Sequence, residues 1–179
     1  MKKTLIMDEN AINRAVARMT HEIIERNQGV EEICLLGVKS RGIPLAERIR
    51  ENVLKFEKKE VPIGHLDITL HRDDLSTEEK VNKATACHIP CDLRDKTVII
   101  VDDVLYTGRT ARAAIESVFA VSRPKAVQLA VLIDRGHREL PIRPDFIGKN
   151  VPTSKHEEIS VLLNEKDGAN EVYILSLND

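Results

Sequence analysis

Val98-Ile99-Ile100-Val101-Asp102-Asp103-Val104-Leu105-Tyr106-Thr107-Gly108-Arg109-Thr110 is the stretch that decides the fold. Val98 to Val101 are all β-branched and all apolar, which predicts a strand buried on both faces, running from about Lys96 to Val101. Two adjacent carboxylates close that strand. A Thr-Gly-x-Thr turn then leads directly into a helix predicted from Arg109 to about Val121. The turn offers unpaired backbone N–H groups, two hydroxyls and the positive end of a helix, which together suit a phosphate. Carboxylates beside a phosphate repel it unless their own partners are hydroxyl groups or a divalent metal. A sugar phosphate meets both demands, with the phosphate in the turn and ribose hydroxyls on the acids. The Gly-Lys-[Ser/Thr] ending of a Walker loop and the Gly-x-Gly-x-x-Gly dinucleotide pattern are both absent.

Working outward, the strand-turn-helix pattern recurs. Ile33 to Val38 reads as a strand, Lys39-Ser40-Arg41-Gly42 as a loop, and a helix begins near Ile43-Pro44, where proline is tolerated in a first turn. The small residues of that loop allow close backbone approach, and Lys39 and Arg41 can meet negative charge. Leu66, Ile68 and Leu70 alternate as in a strand, and a polar segment from His71 to about Thr85 follows. Ala126 to Ile133 completes a strand-helix-strand unit, and Ile159 to Leu163 and Glu171 to Leu177 read as short strands. Strands and helices in alternation predict an α/β fold: a central, mostly parallel sheet flanked by helices, with ligands at the C-terminal ends of the strands. Before the first core strand, a helix is predicted from Asp8 to Gln28, with Asp8 as N-cap and Gly29 as stop. Ile12, Val16, Met19 and Ile23 form its buried stripe, and Arg14, Arg18 and His21 fall on the opposite, exposed face.

Composition bounds the partners. The 179 residues suit a single domain over positions 1–179, without repeats or low-complexity linkers. With 27 basic and 29 acidic residues, the net charge of -2 lacks the field of a general nucleic-acid binder, so any such binding needs a local patch. Five aromatics (Phe56, Tyr106, Phe119, Phe146, Tyr173) disfavour recognition by stacking single-stranded bases. No apolar run approaches a bilayer span, and the start of the chain meets acid at Asp8 before any signal-peptide core forms, so a cytoplasmic protein without membrane contact is expected. Cys34, Cys87 and Cys91 contain no Cys-x-x-Cys pair and read as reduced thiols, with Cys87-His88 and Cys91 too few for a zinc site.

The thirteen residues from Val98 to Thr110 resemble the phosphoribosyl-pyrophosphate (PRPP) motif of the type I phosphoribosyltransferases. Gly37-Val38-Lys39-Ser40-Arg41-Gly42 sits where that family has its pyrophosphate loop. Asp67-Ile68-Thr69-Leu70-His71-Arg72-Asp73-Asp74-Leu75, the stretch from Asp134 to Asn150 and Val151-Pro152-Thr153-Ser154 narrow the likeness. They resemble the bifunctional pyrimidine operon regulator and uracil phosphoribosyltransferase family of Gram-positive bacteria, from about Asp8 to Leu163. The resemblance implies a type I phosphoribosyltransferase fold with a small hood region. It also implies formation of uridine monophosphate from uracil and PRPP with release of diphosphate, assisted by Mg²⁺. Binding of a pyrimidine operon messenger RNA hairpin in response to UMP or UTP, promoting transcription termination, is implied as well, as is a homodimer or higher oligomer.

Residue by residue, the resemblance assigns the ribose hydroxyls to Asp102 and Asp103, with Mg²⁺ carried by PRPP and met by the same two acids. It places the 5-phosphate on Thr107, Gly108, Arg109 and Thr110, with Val104, Leu105 and Tyr106 completing the nucleotide site. Lys39, Ser40 and Arg41 would meet the leaving diphosphate, Arg72 would close over it from a mobile loop, and Asp134 and Arg135 would neighbour the base. Arg14, Arg18, His21, Arg138, Arg143 and Lys149 match basic positions of the family's RNA-facing surface. Asn13 and Ala17 stand where close relatives often carry a further basic residue and a threonine, and His71 where a tyrosine is common. Two alternatives accompany this reading: an RNA-binding nucleotide sensor without catalysis, and a salvage enzyme without an RNA role.

Overall fold

A computed structural model describes residues 2–68 and 87–176 of the chain. The run around Val98 forms the middle of a five-stranded sheet built from β2 (Ile33–Val38), β3 (Ile63–Leu66), β4 (Thr97–Leu105), β5 (Ala126–Asp134) and β6 (Phe146–Asn150). Their spatial order is β3-β2-β4-β5-β6, and every neighbouring pair is parallel. All six positions of β2 are buried, as are Thr97 to Val101 of β4, which is why these strands read as continuous apolar runs.

The helices α1 (Glu9–Arg26) and α2 (Gly42–Glu57) cover one face of the sheet, and α3 (Arg109–Val121) covers the other. Period-two alternation divides the strands between two cores. Leu35, Ile99 and Val101 pack with Ile12, Met19 and Ile49, whereas Leu36, Val98 and Ile100 pack with Ala114 and Val118. Each fully buried Val, Leu, Ile or Met among them contributes about 1.5–3 kcal/mol relative to exposure.

The Asp8 carboxylate caps α1 by accepting from the Ala11 N–H at 2.8 Å, and Ile12, Val16, Met19 and Ile23 are buried. The helix stops at Arg26, two residues before the expected end, because Gln28 and Gly29 both take positive φ (53° and 121°). Two other boundaries move. β4 runs on to Leu105 instead of ending at Val101, since Asp102, Val104 and Leu105 keep the register with Val131, Ile133 and Asp134 of β5. The strand expected around Leu66 to Leu70 lies earlier, at Ile63–Leu66. Ile68 is already irregular there, and Leu70 with the polar segment beyond it falls outside the described residues.

A second, antiparallel sheet forms the hood. β1 (Lys2–Met7), β7 (Glu157–Leu162) and β8 (Glu171–Ser176) pair in the order β1-β8-β7, with the short helix α4 (Asn164–Asp167) between β7 and β8. Met7, Val161, Leu163 and Val172 join the same apolar cluster as Ile33, Leu35 and Ile99, so the hood stands on the core of the larger sheet. Among the described residues, no helix is long and apolar enough to cross a membrane.

Candidate active site

The acid pair sits inside the far end of β4. The Asp103 N–H donates to Asp102 Oδ1 at 2.9 Å, and the Val104 N–H donates to Asp103 Oδ1 at 2.9 Å, so each carboxylate has one oxygen folded onto the backbone. Burial, and then the neighbouring charge of Asp103, hold the Asp102 carboxyl well above the usual aspartate range. Hydroxyl donors or a divalent cation would relieve two adjacent carboxylates in that setting. Among the described residues, no three His, Cys, Asp or Glu side chains converge as a metal-binding group.

The loop at Lys39 to Arg41 is set against that pair by two close backbone contacts. A Cβ at Gly42 would lie 2.3 Å from the Val101 carbonyl oxygen, and one at Gly37 would lie 2.6 Å from the Ile43 Cα. Only glycine permits β2, the start of α2 and β4 to approach this closely. The Lys39–Ser40 peptide is cis. Lys39 Nζ pairs with Asp67 Oδ2 at 2.9 Å, and Arg41 makes a fork with Asp167, Nε to Oδ2 at 3.1 Å and Nη2 to Oδ1 at 2.7 Å. That partner raises the Arg41 pKa further, and the charge of Asp103 adds to the effect.

The phosphate turn follows β4. Gly108 has φ +96°, a left-handed conformation that starts α3, and Arg109 N donates to Thr107 Oγ1 at 3.3 Å. A second chain segment braces this turn. The Glu139 and Leu140 N–H groups donate to the Thr107 carbonyl at 2.9 and 3.2 Å, and Arg109 pairs with Glu139 at 2.6 Å. Arg138 donates to the Tyr106 carbonyl at 2.7 Å and, through its other nitrogens, to Asp134 Oδ2 and the Ile142 carbonyl.

Asp134 and Arg135, expected beside the base, are both committed to structure. Asp134 accepts from Arg138 and from the Gly136 N–H. Arg135 is only 8% exposed, donates to Thr153 Oγ1 and the Glu157 carbonyl, and lies 4.0 Å from the Tyr106 ring centre. The turn they support opens onto a cavity of about 1230 Å³, lined on its far side by Arg143, Ile147, Asn150 and Pro152. Its lining does not include the acid pair. It flanks the site at the ends of β5 and β6.

The basic residues proposed for RNA are less uniform than their spacing implies. Arg14 is exposed, but Arg18 donates to the Ile147 and Gly148 carbonyls of β6 as well as to Glu22, and His21 stacks on Phe56 of α2 with ring centres 4.2 Å apart. Arg138 belongs to the wall of the cavity. Arg143 and Lys149 are exposed, with Lys149 donating to the Ile6 carbonyl at 3.3 Å. Contact between α1 and β6 places Arg14 and Lys149 on adjoining elements, and Arg143 lies in the segment that leads into β6. Arg72 lies outside the described residues. The three cysteines are free, and burial, then Cys91, pushes the Cys34 thiol up to about 12.

Asp67, Glu139 and Asp167, the carboxylates that hold Lys39, Arg109 and Arg41, were not legible as site residues. Each sits 28 to 126 residues from its partner, and no local spacing signals such a pair.

The family model for the phosphoribosyl transferase domain matches residues 4–166. A protein of a Thermoanaerobacter species named bifunctional protein PyrR is 55% identical over 172 residues, covering 96% of this chain and 97% of its own. One of the same name from Halalkalibacterium halodurans is 56% identical over 174 residues, covering 95% and 96%. Among solved structures, a hypoxanthine-guanine phosphoribosyltransferase from Bacillus anthracis aligns with a TM-score of 0.70 at 19% identity, covering 96% of this chain and 98% of that one, a likeness of fold.

Proposed function

The chain belongs to the phosphoribosyltransferases and, within them, to the bifunctional PyrR proteins, and from that premise we propose how its residues divide the two tasks. The protein is a uracil phosphoribosyltransferase and an RNA-binding regulator of pyrimidine operon attenuation. The observation that carries the catalytic assignment is the close approach of Gly42 to Val101 and Asp102, which sets the Lys39–Arg41 loop against the acid pair at the end of the strand that leads into the phosphate turn.

In this reading the 5-phosphate of PRPP lies on Thr107, Gly108, Arg109 and Thr110, where backbone N–H groups and the start of α3 favour an anion. Asp102 and Asp103 accept the ribose hydroxyls and supply negative charge beside a ring that becomes oxocarbenium-like as diphosphate leaves. Lys39, Ser40 and Arg41 hold the departing diphosphate. Mg²⁺ bound with PRPP would neutralise that leaving group, and Asp102 and Asp103 are the residues that would meet it. No side chain forms a covalent bond to the sugar, so catalysis is positioning and electrostatic stabilisation. Arg72 is assigned as a further positive charge for the diphosphate. The base lies against the backbone of the 135–137 turn, since Asp134 and Arg135 spend their side chains holding that turn.

The RNA face is assigned to Arg14, Arg143 and Lys149, with Arg18, His21 and Arg138 shaping the surface beneath them. Phosphate neutralisation supplies affinity, and a hairpin loop's shape and exposed bases supply specificity. A homodimer would double this face. The protein acts in the cytoplasm.

The test is a base panel. Purified protein with PRPP, Mg²⁺ and each of uracil, orotate, hypoxanthine, guanine, xanthine and adenine forms nucleotide from uracil alone, and the Asp102→Asn/Asp103→Asn variant forms none. Nucleotide from a purine would overturn the base assignment. In parallel, UMP tightens binding of a pyrimidine-leader hairpin and Arg143→Glu weakens it with a shallower salt dependence; unchanged affinity in both arms would overturn the RNA assignment.

A further inference from the structure

α2 is tied to the hood at two points on one face, two turns apart. Arg41, at its N-terminal boundary, forks onto Asp167, and Arg48, two turns on, forks onto Glu165 at 2.8 and 2.7 Å. Both carboxylates come from α4 and sit two residues apart. Asp167 is itself fixed, because its Oδ2 also accepts the Leu163 N–H at 2.9 Å and its own N–H donates to the Leu163 carbonyl at 2.7 Å. Arg48 reaches further, to Asn170 Oδ1 at 2.5 Å, and Asn170 in turn donates to Glu9 of α1. The two forks differ in what they hold. Arg48 lies in the body of a helix, whereas Arg41 ends the loop that faces the acid pair.

The geometry points to Asp167 as a positioning residue for diphosphate: it binds the Nε and Nη2 edge of Arg41 and turns the other edge of the guanidinium toward the leaving group. A planar guanidinium has two edges able to hold an oxyanion in parallel hydrogen bonds, and a carboxylate on one leaves the Nη1 side for the second. Nη1 of Arg41 has no partner among the described residues. A long arginine side chain free to sample its rotamers would lose entropy on meeting diphosphate, and a fork that already fixes it removes that cost. This role for Asp167 rests on the assignment of the Lys39–Arg41 loop to diphosphate and adds to that site a residue 126 positions away from Arg41.

Two measurements test it: calorimetric binding of Mg²⁺-diphosphate to the full chain, and steady-state kinetics with PRPP and uracil. Asp167→Asn keeps the size but loses the fork; it weakens diphosphate and raises the KM for PRPP about tenfold, the usual order for an outer partner that orients a binding group, with kcat within about twofold. Asp167→Glu restores most of the affinity. Glu165→Gln, which loosens the other fork, lowers the melting temperature to a similar extent and leaves diphosphate binding and the PRPP KM unchanged. Equal losses in Asp167→Asn and Glu165→Gln would reduce Asp167 to a tether and overturn the inference, as would unchanged or tighter diphosphate binding in Asp167→Asn, the latter because it would make the carboxylate a competitor. Failure of the unaltered protein to bind diphosphate or turn over PRPP would instead overturn the loop assignment beneath it.

Discussion

Asp102 holds its proton above the range in which ordinary aspartates give theirs up, because burial and the adjacent Asp103 both penalise its charge. The ligand-free protein therefore carries a group that costs stability once it ionises. Asp102→Asn removes that cost and keeps the shape, so it is expected to abolish nucleotide formation while raising stability near neutral pH. The gain is on the order of 1 kcal/mol, about 2–4 °C in Tm for a chain of this size, read by calorimetry without ligand. A melting point that falls would mean that the carboxyl is better satisfied than its surroundings imply. Binding of a sugar's hydroxyls, or of a divalent ion, should draw the proton off, so proton release on PRPP binding is the companion signal.

Elements differ in how much of them the amino-acid pattern reveals. The central strand was legible because Val98 to Val101 are uniformly apolar, but its last four residues were not: Asp102 and Asp103 look like a terminus, and only pairing with Val131 to Asp134 keeps them extended. β6 was missed altogether, since Gly148-Lys149-Asn150 has no strand pattern and its order comes from β5 on one side. Its other support is Arg18, whose guanidinium donates to the Ile147 carbonyl at 3.2 Å and the Gly148 carbonyl at 2.5 Å. Helical spacing placed Arg18 outward, which is right for its Cβ, but spacing does not say where a long side chain ends. Arg18→Ala is expected to destabilise the protein by about 1 kcal/mol, the worth of a half-exposed charged donor, with faster amide exchange confined to β6 and the adjoining face of α1. Arg14→Ala should stay within about 0.5 kcal/mol of the unaltered protein. The candidate site divides along the same line: the acid pair, the phosphate turn and the loop cations are contiguous motifs and were readable. The carboxylates that hold those cations arrive from distant segments, by folding alone.

For the molecule as a whole, these groups give stability two opposing dependences on pH. Asp167 and Glu165 are held below their ordinary range, first by their hydrogen bonds to Arg41 and Arg48. Their contribution is present above the ordinary carboxylate pKa and is lost as pH falls through the lowered values, which loosens the hood from α2. Asp102 runs the other way: a raised pKa means that stability declines as pH rises from the ordinary carboxylate range through its own value, and is level beyond it. Denaturant midpoints measured across pH should therefore climb from the acid side and then ease downward. Asp102→Asn removes the decline and leaves the climb, whereas Asp167→Asn flattens the climb. A single monotonic limb in the unaltered protein would contradict this account.

In the hood, β8 lies between β1 and β7, with Ser176 opposite both Lys2 and Glu157. β1 thus takes its partner from the far end of the described residues: without 171–176, β1 and β7 have no neighbour in their sheet, while every strand of the larger sheet lies between them along the chain. Pairing across so long a separation is slow to form, so the hood should gain amide-exchange protection after the parallel sheet when the chain refolds.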